Sequence, residues 1–269
     1  MLAKEILLKA KKNVFTNKTA DNLSITRGEG LDFCEIRPYQ FGDDVRHINF
    51  SASGKTGELQ TNVFNENKQL NVVIAPLLSA SLHFGSVCLK SEKMAEIIAH
   101  LGYSSIKQKN QTKVVFFAQE ALLFNLNNEG DLLKAIEYML EVDLLKNAYQ
   151  FQMLKEYFIR TKKSLGFIIS DFYQQDDYAQ IAHKNQIKAL TVRDRLEELP
   201  NFSTELNLVS AYDNSVIEAN IGKNMATKYQ NRLAVEDDKL NAHFSHHNIE
   251  TGKIYTDDDV FIKLSQILK

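Results

Sequence analysis

The chain has 269 residues, 44% of them hydrophobic and 25% charged, with a formal net charge of −2. That length holds one large domain, or a main domain with a smaller one attached, and that balance is ordinary for a globular protein in water. The near-neutral charge gives no general attraction to nucleic acid or to an anionic membrane. Cys34 and Cys88 stand without CxxC or metal-ligand spacing. They are expected to be reduced and partly buried, as in a cytoplasmic protein. No run approaches the ~20 apolar residues of a spanning helix.

The N-terminal segment MLAKEILLKAKKNVF reads as a short amphipathic helix with Leu2, Ile6, Leu7 and the Lys9 stem on one face. Docking on its own domain is the favoured reading, with contact to a membrane surface as the other. Thr16 to Thr26 lacks periodicity and reads as a loop. From Arg27-Gly28-Glu29-Gly30 onward, alternation at Leu31, Phe33 and Glu35, and recurrence at Val45, Ile48 and Phe50, predict β-structure. Turns are expected at Phe41–Asp44 and near Thr56-Gly57, closing at Val63-Phe64. Arg37, Asp43, Asp44 and Arg46, beside Gly42, form either an internal ion-pair network or a partner surface. Ser53-Gly54-Lys55-Thr56 imitates the end of a phosphate loop, but the first glycine of that motif falls on Asn49. A hairpin turn is the better reading.

The stretch that organises the rest is LNVVIAPLLSASLHFGS, Leu70 to Ser86. Val72–Ala75 is the short apolar run of a strand buried on both faces, and a small-residue loop at Ser79-Ala80-Ser81 follows it. A second strand, Ser164 to Ser170, stops at Ser170-Asp171. Open α/β sheets bind ligands at the carboxyl ends of their strands, so Ser79, Ser81 and Asp171 are expected to converge on one edge. A helix is predicted over Ser91–Gln108 with Ser91 as N-cap and Gly102 loosening its last turn. A tight hairpin joins Lys113–Ala118 to Ala121–Leu126. Helices follow from Asp131 through Leu132, Leu133, Ile136 and Met139, over Tyr149–Arg160, and over Gln174–Asn185. Strands are predicted at Ile187–Arg193 and Leu206–Ala211. Helices close the chain at Lys223–His246 and at Asp258–Leu268, the last capped by Thr256 or Asp257. This alternation predicts an α/β fold with a mostly parallel sheet and helices on both faces. The division is residues 1–69, an N-terminal helix with a β-rich region, and residues 70–269, the α/β domain.

The segment GEGLDFxxIRPYxxGDDVRHINFxAxxxTGEL, the SAS loop, ISDF, the TVRD run and the terminal TGKxYTDxD resemble the DUF58 family of von Willebrand factor A-like proteins. The resemblance runs over nearly the whole chain. It implies a Rossmann-like A domain joined to a β-rich N-terminal region. It also implies partnership with MoxR-type AAA+ ATPases and with membrane-anchored A-domain proteins. Such A domains often hold a divalent cation through a D-x-S-x-S loop with a threonine and an aspartate from other loops. Here Ser79 and Ser81 match the serines and Asp171 the later aspartate, but Leu77 stands where the first aspartate belongs, and no threonine is placed. Mg²⁺ wants oxygen ligands including one or two carboxylates, so Ser79, Ser81 and Asp171 form a degenerate metal site. Asn49-Phe50 replaces the family's usual Asp-Trp.

Other chemistry is weaker. Ser79, Ser81 and Asp171 also suit plain helix capping. Ser79 or Ser81 with His83 and Asp171 suggests a hydrolase, but no G-x-S-x-G elbow is present. His243, His246 and His247 share a helix face, yet no carboxylate or cysteine completes a metal set at close spacing. Asp176-Asp177 and Asp257–Asp259 read as solvated helix starts. The expected function is a non-enzymatic adaptor without cofactor, docking through the Ser79–Phe84 loop and Asp171–Tyr173 and through the Arg37–Arg46 region. Its membrane contact, if any, runs through its partners. The alternative is an A domain that captures an acidic ligand through Mg²⁺ at the degenerate site.

Overall fold

The computed structural model describes residues 2–16, 32–65, 69–145, 147–199, 205–209, 216–220 and 223–268. The predicted loop before Thr26, the Arg27–Gly30 turn, Leu31 and Ala211 lie outside these residues. Two compact units form: Met1–Ile25 with Asn71–Lys269, and Thr26–Leu70. From sequence the division is expected after residue 69, with the first helix on the N-terminal side. The first helix, α1 (Leu2–Thr16), belongs instead to the larger unit. It buries Ala3, Ile6, Leu7 and Ala10, an i, i+3, i+4, i+7 stripe, whereas Leu2 stays 45% exposed. Lys9 reaches Glu96 at 3.2 Å, so its stem is not part of the buried face.

In the smaller unit β1 (Asp32–Pro38) pairs antiparallel with β2 (Gln60–Asn65). The chain between them is less β-like than its alternation predicts. Val45–His47 is a 3-10 turn, and Phe50–Thr56 is a helix, α2, where a hairpin turn is expected. Asn49 explains the difference. Its side chain caps α2 by accepting the Ala52 amide at 2.9 Å, and it donates to Asn62 Oδ1 at 2.9 Å. Gly57 ends the helix at φ +79°, a left-handed cap that favours glycine.

The larger unit is built on β3 (Asn71–Pro76), β4 (Gln111–Phe117), β5 (Ala121–Leu126), β6 (Leu165–Ser170), β7 (Gln186–Arg193) and β10 (Glu250–Tyr255). Their order is β10-β7-β6-β3-β4-β5, with β5 antiparallel and the rest parallel. Counted within the sheet, this is the 3-2-1-4-5-6 order of a doubly wound fold, and its switch point lies between β3 and β6. Val73, Ala75 and Leu77 face one side. They pack with Leu154 and Phe158 of α5 (Phe151–Arg160), Ile181 of α6 (Ala179–Lys184), and Leu240 and Phe244 of α8 (Lys223–His246). α3 (Lys90–Lys107) covers the other face with α1, α4 (Glu129–Glu141) and α9 (Val260–Ile267) against it.

Several elements depart from expectation. β8 (Glu205–Val209) does not enter the central sheet; it pairs with β9 (Val216–Asn220) in a separate antiparallel ribbon. The sixth strand of the sheet is β10, which the sequence does not announce. α6 begins only at Ala179, because Asp171–Tyr178 is irregular. α3 begins at Lys90, with Leu89 rather than Ser91 at its cap and the Glu92 carboxylate accepting the Leu89 amide at 3.1 Å. Asn128 caps α4 and Asp259 caps α9. Gly102 does not loosen α3. A Cβ there would meet Leu132 Cδ1 at 2.6 Å, so glycine permits α4 to approach closely.

Candidate functional site

β3 and β6 run side by side, so the loops leaving their carboxyl ends meet at the switch point. After β3 the chain passes Leu77 and enters a 3-10 turn, Ala80–His83. Ser79 Oγ lies 2.7 Å from Ser81 Oγ, and Ser81 donates to Asp171 Oδ2 at 2.5 Å. The three polar residues predicted to converge do so. Ser79 and Asp171 are buried at 4% and 2% exposure, so they form an enclosed network rather than an open edge. Leu77 is fully buried and packs in the α5–α6–α8 core.

Lys90 completes the network. Its ammonium lies 3.0 Å from Asp171 Oδ2 and 2.9 and 3.0 Å from the Glu197 oxygens, with the side chain fully buried. Glu197 comes from α7 (Arg195–Glu198), the short helix after β7. Burial pushes its carboxyl above the ordinary range, against the pull of Lys90. Tyr173 spans the cluster: its ring sits 5.2 Å from Lys90 Nζ and 3.7 Å from the Arg193 guanidinium. Arg193 also pairs with Asp237 at 3.2 Å. Phe172, between Asp171 and Tyr173, adopts φ +49°. That turn lets Phe172 enter the core while its neighbours meet Lys90, at a cost of about 1 kcal/mol or more for a bulky residue.

A second knot lies beside the first. Asp194 accepts the Ser86 amide and hydroxyl at 2.8 and 2.9 Å, the Leu196 amide at 2.8 Å and the Thr256 hydroxyl. Burial acts to raise its carboxyl, but these hydrogen bonds hold it below the usual range. The rim formed by these loops carries apolar side chains in water: Phe84 is 40%, Val87 70% and Leu199 56% exposed. His83 is exposed on the same turn, and the group Ser81 meets is a carboxylate rather than an imidazole.

In the smaller unit, Arg37 and Asp43 form a two-pronged pair at 2.8 Å, and Arg46 joins Asp44 at 2.6 Å. The Arg46 guanidinium and amide hold the Asp44 carboxyl far below the usual range. Gly42, at φ +108°, makes the turn that brings Asp43 back to Arg37. Asp43 and Asp44 therefore each have their own arginine, and the local turn geometry is fixed by both. Around them Ile36, Phe41, Val45, Phe50 and Leu59 are exposed, Phe41 completely and Phe50 to 76%.

The family described as protein of unknown function DUF58 matches residues 35–239. The chain belongs to this family. Uncharacterized proteins of Mycobacterium bovis and Mycobacterium tuberculosis are 31% identical to this DUF58 chain over 75 residues, 28% of this chain. The match spans 24% of the length of those relatives. Among solved structures, BatB from Bacteroides thetaiotaomicron aligns with a TM-score of 0.44 at 14% identity, covering 74% of this chain and 97% of that one. An aerotolerance-related membrane protein from Bacteroides fragilis aligns with a TM-score of 0.39 at 14% identity, covering 66% and 98%. Among the described residues of this DUF58 protein, no helix is long and apolar enough to cross a membrane.

Proposed function

We propose that this DUF58 protein is a non-enzymatic adaptor that docks onto other proteins, foremost a MoxR-type AAA+ ATPase and membrane-anchored A-domain proteins. In this reading its larger unit is a von Willebrand factor A-type domain and it works in the cytoplasm. The observation that carries the docking role is the surface of the smaller unit. Among its described side chains only Gln60 and Thr61 are buried, while five apolar residues face water on a frame braced by ion pairs. Apolar groups exposed to water in this number suit a partner surface. The rim at Phe84, Val87 and Leu199 offers a second contact.

The ammonium of Lys90 argues for a cation-independent domain. A Mg²⁺ ion at Ser79, Ser81 and Asp171 would sit against a buried positive charge, and Leu77 supplies apolar core where a carboxylate is needed. The donor set does not fit the ion. Ser79 and Ser81 are engaged with each other and with Asp171, whose carboxylate is neutralised by the buried Lys90 ammonium, which favours a structural network over an activated nucleophile.

The test is a pull-down of the purified chain against the MoxR-type ATPase of the same cell, with and without a non-hydrolysable ATP analogue. Nucleotide-dependent recovery, reduced by Phe41→Ser with Phe50→Ser, is the expected result. No binding, or binding indifferent to those changes and to Val87→Ser with Leu199→Ser at the rim, overturns the docking surfaces. A rise in Tm with millimolar Mg²⁺ would revive the cation-dependent alternative.

A further inference from the structure

The paired histidines of α8 acquire a carboxylate that sequence spacing does not offer. His243 and His247 lie one turn apart, and helical geometry holds through His247, whose amide reaches the His243 carbonyl at 3.3 Å. Their rings stand 4.7 Å apart. Asp177, from the irregular segment after β6, comes within 3.6 Å of His243 Nε2. One donor atom from each of Asp177, His243 and His247 lies within 4.8 Å of the others. Ligands sharing one ion at about 2.0–2.2 Å stand roughly 3–4 Å apart, so the three groups must draw together on binding, the exposed Asp177 by side-chain rotation and the histidines by ring adjustment.

The neighbours separate this trio from a chance cluster. Asp176 accepts the Tyr149 hydroxyl at 3.0 Å, while Asp177 accepts the Ala179 amide through Oδ1 at 3.0 Å and faces His243 through the same oxygen. The His243 ring is held against the Tyr178 and Phe244 rings, while its Nε2 accepts the Tyr178 amide at 3.1 Å, a bond that metal ligation through Nε2 would replace. A cavity of about 640 Å³, lined by all three residues, leaves room for the water or other ligand that would complete the coordination. Two imidazoles and one carboxylate suit Zn²⁺, Co²⁺ or Ni²⁺ and not Mg²⁺.

We propose that Asp177, His243 and His247 bind one divalent transition-metal ion, tying the segment after β6 to α8. The ion competes with the Tyr178 amide for His243 Nε2, and Lys239 lines the same cavity. Both features set micromolar rather than nanomolar binding. The ion clamps the segment that also carries Asp171 and Tyr173, so it acts on the closed network from outside.

The test is calorimetric titration of the EDTA-treated full chain with Zn²⁺, and of a second sample with Co²⁺ followed by visible absorption. One ion per chain at micromolar affinity is expected, with Co²⁺ giving the absorption bands of a nitrogen- and oxygen-ligated site. His247→Ala and Asp177→Asn should each weaken binding about tenfold or more, with His246→Ala near native. Asp177 is exposed and its asparagine variant keeps Oδ1 for the Ala179 amide, so the metal-free Tm of Asp177→Asn should not move. Binding only at millimolar Zn²⁺ overturns the proposal, as do undiminished binding in Asp177→Asn and equal loss in His246→Ala.

Discussion

Lys90 is the residue on which the switch point depends. A lysine with no exposed surface faces two carboxylates, Asp171 and Glu197, themselves little exposed. Removing it leaves both charges buried without their cation, so Lys90→Met should cost about 3–5 kcal/mol in urea unfolding. A loss under about 1 kcal/mol would mean that water already reaches the cluster. Asp194 contributes to the acid response. Its folded carboxyl lies below the unfolded value of about 3.9, so it contributes stability above that pH, and the contribution fades as pH falls through the folded value. Native chain should therefore lose more stability than Asp194→Asn between about pH 5 and pH 3, measured by urea unfolding at each pH. Ser79, Ser81 and Asp171 are legible in sequence because each ends or follows an apolar strand. Lys90 and Glu197 are not. They meet across 107 residues, and a lysine opening an amphipathic helix reads as solvent-facing. Asp177 escapes for the same reason: its histidine partner is 66 positions away, and spacing rules see only neighbours.

At the scale of elements, strands buried on both faces announce themselves and polar edges do not. β3 and β6 read directly from Val72–Ala75 and Phe167–Ile169. β10, Glu-Thr-Gly-Lys-Ile-Tyr, lies at the sheet edge with only Ile254 buried, so its sequence carries little of the apolar run that marks a strand. α2 hides for a different reason. Gly54 and Gly57 look like one turn, whereas the first is an exposed helix residue and the second ends the helix. Where layers meet, glycine marks contact distance. A Cβ on Gly166 of β6 would lie 2.7 Å from both Ile187 Cδ1 and Phe158 Cε1, and the Phe158 ring is fully buried. Alanine suits a strand better than glycine, but overpacking outweighs that gain. Gly166→Ala should destabilise by about 1–3 kcal/mol. A neutral or stabilising result in thermal unfolding would show that α5 can move off the sheet.

The whole molecule combines one unit with a continuous core and one whose described side chains bury no apolar residue. The larger unit buries apolar residues on both faces of its sheet. The smaller unit is about 45 residues by its limits, and no apolar residue is buried among its described side chains. A segment of that size gains little from a core of its own. Its order rests on the β1–β2 ladder, the Asn49 cap and the two arginine–aspartate pairs, and exposed pairs of this kind contribute about 1 kcal/mol or less each. Local opening should therefore be far easier there than in the sheet, and proteolysis reads that difference as the population of the open form. With a low level of chymotrypsin, the first cuts should fall within residues 26–70, at Phe41 or Phe50, while the fragment from residue 71 onward persists. Raising the salt should speed those cuts by screening the ion pairs. Adding the MoxR-type ATPase with its nucleotide analogue should slow them, because a partner covering Phe41 and Phe50 stabilises the closed form by mass action. First cuts within the sheet would assign the lower stability to the larger unit. Protection that ignores Phe41→Ser and Phe50→Ser would place the partner elsewhere on the molecule.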